Sequence, residues 1–175
     1  MSFHQAVFEI IDMRSFSNLW YWIGLAVIWS SASHWVLGVP FDMVGRARRK
    51  GGEAVEDLEM LVSVNVRRRL VIAQTAGLWI VGLAAAALTA LALLGFVYDL
   101  EFAQALFLIA FPMSLVGLLG HRTARIIVSR GETGPELWRR LSLHRFFVQL
   151  IGVVAIFVTA LWGMWRLLSR AFPAF

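Results

Sequence analysis

A 175-residue chain with 59% apolar residues, a mean hydropathy of +0.73 and no cysteine is too apolar for an ordinary soluble domain, which runs at roughly 45–50%. The missing cysteine excludes disulfides, thiolate metal sites and thiol nucleophiles. The net charge of +5 does not point to nucleic acid. Its arginines flank apolar runs, where membrane topology and anionic headgroups explain them first.

The length suits one domain, 1–175. Apolar stretches near 20 residues read as membrane spans, and they occur at about 17–39, 70–97, 102–120 and 146–165. The expected fold is therefore all-α: a polytopic membrane protein built as a four-transmembrane-helix bundle. Residues 1–14 place Phe3, Val7, Ile10 and Ile11 on one helical face, which predicts a short amphipathic helix lying in the interface. No basic region precedes the first apolar run and no small-residue cleavage site closes it, so the first span is expected to stay in the protein.

The first span carries Trp20, Trp22, Trp29 and Trp35, and a polar patch from Ser30 to His34 interrupts it. The polar segment 41–69 follows. It opens with Arg46, Arg48, Arg49 and Lys50, passes Gly51 and Gly52, and turns acidic at Glu53, Glu56, Asp57 and Glu59 before ending in Arg67, Arg68 and Arg69. Acids at the front and arginines at the back suit a helix dipole, so 53–68 is expected as a loop helix leading into span two. Span two repeats small residues at Gly82, Ala86 and Ala90 and again at Ala73 and Gly77. Such spacing lets helix backbones approach closely in lipid, which predicts this helix at the centre of the bundle.

A short acidic turn, 98–101, makes spans two and three an antiparallel hairpin. Pro112 is expected to kink span three, with Ser114 placed to satisfy the freed carbonyls. The segment 121–145 continues helically to Gly131, and Thr133-Gly134-Pro135-Glu136 resembles a capping box that starts a new helix. That helix should run unbroken into span four, where Ala155, Thr159 and Gly163 form a second close-packing face.

Thirteen of the 16 basic residues lie in 41–69 and 121–145, against Arg14, Arg166 and Arg170 elsewhere. The positive-inside bias then puts both segments in the cytoplasm and both termini in the periplasm. Arg46, Arg48, Arg49, Lys50, Arg67, Arg68, Arg69, Arg139 and Arg140 are read as topology signals or contacts to anionic lipid headgroups.

Chemistry has few places to reside. His34, His121 and His144 fall at one predicted depth, where they could ligate haem or hydrogen-bond a quinone. Histidine at a span end is equally a comfortable interfacial residue, and no pair has the spacing of a helical metal site. Ser30, Ser31, Ser33 and Thr89 could line a pathway, yet serine in a span commonly bonds its own helix. There is no glycine-rich phosphate loop, no GxSxG and no HExxH. No metal, cofactor or catalytic residue is expected. Most tryptophans form interfacial belts, while Trp22 and Trp29, seven apart and so on one face, are expected to meet a partner.

The runs from Ser15 to Trp22 and from Ala32 to Pro40, with Glu101 to Phe107 and Phe111 to Ser114, resemble an alphaproteobacterial family of small membrane proteins. Its members often carry the label "component of SufBCD complex". The resemblance seen in these runs implies an inner-membrane protein and a link to iron–sulphur cluster assembly, and it carries no catalytic residues. With the composition, it favours a non-catalytic accessory or assembly subunit of a larger inner-membrane complex, respiratory or photosynthetic in the first instance. The alternatives are a haem- or quinone-binding redox protein and a small permeation protein.

Overall fold

A computed structural model describes residues 15–171; the expected amphipathic helix at 1–14 lies outside the described residues. A turn at Ser15–Ser17 leads into α1, Leu19–His34. Strands β1, Trp35–Val36, and β2, Val39–Pro40, form a minimal antiparallel hairpin. Helix α2 spans Phe41–Lys50, α3 spans Glu53–Ala92 with a π turn at Leu93–Val97, α4 spans Glu101–Arg130, and α5 spans Gly134–Ala171. Among the described residues the fold is all-α apart from that hairpin.

Among the described residues three helices, α3 with its π turn, α4 and α5, are long and apolar enough to cross a membrane. The first expected span is shorter than 17–39. Its helix has 16 residues, about 24 Å at 1.5 Å per residue, against a hydrocarbon core of about 30 Å. The helix stops because Leu37 and Gly38 take φ of 53° and 81°, the positive pair that a two-residue hairpin turn of right-handed strands requires. Val36, Leu37 and Val39 then turn into a core rather than toward lipid.

That core lies at the basic end. Val44 and Ala47 of α2, Leu58, Val62 and Val66 of α3, Ala124 and Ile127 of α4, and Leu137 and Leu141 of α5 close around the hairpin. Positions 58, 62 and 66 recur every four residues and so share one helical face. Helix α3 has 40 residues, about 60 Å, so roughly half of it extends past any bilayer. The expected loop helix 53–68 and span two are thus one continuous rod, and α2 is an additional helix that the sequence pattern did not separate. Arg48 of α2 holds α5 through Nη2 to the Trp138 carbonyl at 3.3 Å and the Ser142 hydroxyl at 2.9 Å. Arg145 lies 4.1 Å over the Phe41 ring, a cation–π contact on the same seam.

The turn between α4 and α5 behaves as expected. Gly131 ends α4 in the left-handed region, and α5 runs unbroken from Gly134. Its first N–H is capped from outside, by Glu59 Oε1 of α3 at 2.7 Å. Pro112 sits inside a continuous α4, and Ser114 donates to the Phe111 carbonyl at 2.6 Å.

Away from the head, α3 lies beside α4, α4 beside α5, and α5 beside α1. Helix α1 also meets α4, whose Ile109, Met113 and Val116 pack against the Leu25 and Trp29 cluster, and makes no extensive contact with α3, which lies outside that group. The expectation that span two sits at the centre is overturned. Only 6% of the membrane-length window of α3 is buried, against 28% for α5, so α3 is an edge helix.

Candidate functional site

The small residues of the two halves behave oppositely. On α5, Ala155 and Thr159 are buried, with Thr159 fully enclosed. Gly163 meets the Phe16 ring, and a Cβ there would lie 3.2 Å from it. Gly152 is tighter still, since a Cβ would lie 2.7 Å from Trp29 Cε3. Only glycine lets α1 and α5 approach that closely. On α3, Gly82, Ala86 and Ala90 are exposed and Gly77 is half-buried. A Cβ added at Gly77 or Gly82 would meet nothing within 4 Å. These four do not pack inside the chain as expected. With Leu78, Trp79 and Leu83 at 86%, 75% and 69% exposure, they belong to the least buried of the three membrane-length windows among the described residues.

Trp22 and Trp29 do not form an outward docking face. Trp29 is 6% exposed and lies with Leu25 and Ala155 in a second core. Trp22 packs against that core and donates Nε1 to the Phe16 carbonyl at 3.1 Å. Their seven-residue alignment marks an inward face, because α1 uses it to grip α5.

The three histidines occupy different environments. His34 is exposed at the end of α1, edge-on to Trp35 with ring centroids 5.8 Å apart. His121 is half-exposed on α4, and His144 is buried. Thr123 Oγ donates to the Leu119 carbonyl at 2.8 Å and lies 3.1 Å from His144 Nδ1. Among the described residues, no group of three or more His, Cys, Asp or Glu is placed to hold a metal. Ser30, Ser31 and Thr89 are exposed, Ser33 donates to the Ser30 carbonyl at 3.0 Å, and the serines and Thr89 sit on the non-adjoining helices α1 and α3.

The sequence pattern missed a polar lock at the end opposite the head. Glu101, expected in the short acidic turn, is buried and accepts from Phe16 N–H at 2.9 Å. Gln104, also buried, donates to the Gly95 carbonyl at 2.7 Å and to Asp99 Oδ1 at 3.2 Å. It accepts from Trp162 Nε1 at 3.0 Å. Arg166 pairs with Asp99 at 2.8 Å, and its Nε and Nη2 are buried with no hydrogen-bond partner among the described residues. The lock ties the Ser15–Ser17 turn, the π turn, α4 and α5 together. One signal was available: Glu101 and Gln104 are three apart and so share a face.

At the basic end, Glu132 is buried between α4 and α5. Arg140 donates Nε and Nη2 to its two oxygens at 3.0 and 2.6 Å. The hydrogen bonds from Arg140, then its charge and that of Arg130, hold the Glu132 carboxyl below the usual carboxylate range.

Fold and site together define a helical membrane protein with a packed basic head and an uncovered edge helix. Comparisons with protein-family models, curated proteins and solved structures found no match for the chain.

Proposed function

We propose that this chain is a non-catalytic accessory or assembly subunit of a larger bacterial inner-membrane complex, docked through the uncovered face of α3. The observation that carries the reading is the 6% burial of α3's membrane window beside exposed Gly82, Ala86 and Ala90. In lipid no hydrophobic effect drives helices together, and small residues gain most from the close approach of another backbone. The occupant is a membrane helix of the larger partner, with a respiratory or photosynthetic complex the first place to look.

In this reading the head is cytoplasmic and both termini are periplasmic, supported by the 13 basic residues in 41–69 and 121–145. Helix α1, extended at its start by the Ser15–Ser17 turn, makes the fourth crossing. Purification in mild detergent followed by mass spectrometry is expected to find a stoichiometric larger partner. Replacing Gly82 and Ala86 with leucine is expected to release it while leaving the fold intact. A monodisperse, partner-free wild type would overturn the proposal, and so would a variant that keeps the partner.

A further inference from the structure

Independently of that reading, we propose that a cavity between the facing ends of α4 and α5 binds the phosphate of an anionic phospholipid. The cavity holds about 320 Å³ and is lined by Arg130, Glu132, Glu136, Arg139, Arg140 and Leu143. Its electrostatics favour an anion. Both oxygens of Glu132 are taken by Arg140, so that pair is neutral. Arg130 and Arg139, both exposed, then outweigh Glu136 by one charge. Arginine is suited to phosphate because its planar fork donates two parallel hydrogen bonds.

The position selects a lipid over a soluble phosphate. Leu143 at the cavity wall is 44% exposed, and Phe146, Phe147 and Leu150 continue the exposed apolar face at 57%, 41% and 48%. Spacings of three, four and seven put these on one stripe of α5, which leads from the arginines toward the membrane window. Counted back from Arg166, 20 residues of helix cover about 30 Å. The hydrocarbon boundary then falls near Phe146, and Arg139 stands about 10 Å above it, within a side chain's reach of the headgroup layer. Basic pockets between membrane helices bind anionic headgroups on the same physical grounds. The acyl chains would lie along Leu143, Phe146, Phe147 and Leu150.

The test uses the full chain in mixed micelles holding equal phosphatidylglycerol and phosphatidylcholine, with native mass spectrometry counting retained lipid. Phosphatidylglycerol is expected to be retained selectively. Arg130→Ala with Arg139→Ala is expected to weaken its retention about thirtyfold, the scale of two charges near a membrane surface. The matching pair Arg130→Lys with Arg139→Lys should recover much of it, and Arg46→Ala with Arg49→Ala, an equal charge change on α2, should leave it unchanged. Equal losses from the cavity and α2 pairs would overturn the site in favour of a diffuse surface charge. Displacement of the lipid by millimolar inorganic phosphate would overturn the lipid in favour of a soluble ligand.

Discussion

The two ends of α3 are one continuous helix in two different solvents. In the head, Leu58 is fully enclosed and Val62 and Val66 are nearly so. Some twenty residues later, Leu78, Trp79 and Leu83 are left open. The difference follows from what drives packing on each side. Burying a leucine from water stabilises a fold by about 1.5–3 kcal/mol, so a segment outside the bilayer must build a core. In lipid that gain is absent, and a helix can stay at the edge of the bundle without cost. A long apolar run therefore says that a helix enters the membrane, and leaves open whether its neighbours cover it.

The contrast can be broken most sharply in the head. Leu141→Ala, at a site with no exposure, is expected to cost about 2–5 kcal/mol and to speed hydrogen exchange through the hairpin and α2. Leu83→Ala on the open face should change stability by less than about 1 kcal/mol. Equal effects at the two sites would erase the distinction between them.

Next in size is Gly152→Ala, which forces a methyl against Trp29. The overpacking is expected to cost about 1–3 kcal/mol and to loosen α1 from α5. Gly82→Ala meets open space and should be neutral or slightly stabilising, since alanine is the better helix former. Melting temperatures in one detergent would compare the two directly.

The smallest effect concerns Glu132. A carboxyl whose folded pKa is lowered contributes stability above its ordinary pKa, and loses it as pH falls through the lowered value. Glu132→Gln is accordingly expected to cost about 1 kcal/mol near neutrality, a deficit that fades in acid. A deficit independent of pH would show that shape rather than charge joins α4 to α5 there.

Much of the helical layout was legible from local chemistry. The acids at the front of 53–68, the stop at Gly131 and the helix start signalled at 133–136 fell at real helix ends, because dipoles and left-handed turns act within a few residues. By contrast, Arg67, Arg68 and Arg69 lie inside α3, and the cap on Gly134 comes from Glu59. The hairpin at 35–40 was not legible. Val36, Leu37 and Val39 are as apolar as any span, and only the positive φ at Leu37 and Gly38 separates them from one. The small residues misled for another reason. Gly82-x3-Ala86-x3-Ala90 and Ala155-x3-Thr159-x3-Gly163 carry the same spacing, yet one faces outward and the other holds α1. Spacing identifies a surface fit for close packing, and tertiary neighbours decide whether the chain itself supplies the partner. The tryptophans repeat the lesson, with Trp29 turned inward by a glycine 123 positions away, at residue 152. The partners of Glu101 and Arg166 were not legible at all, since only the folded chain brings Phe16 and Asp99 to them.

The most direct test of the uncovered α3 face is photo-crosslinking in native membranes. A crosslinking side chain at Ala86 is compared with one at Ala155, which packs inside the second core. Ala86 is expected to capture a larger membrane protein in a discrete band, and Ala155 to give crosslinks within the chain. Adducts to lipid alone at Ala86 would contradict the account, and would leave α3 an edge that faces nothing but the bilayer.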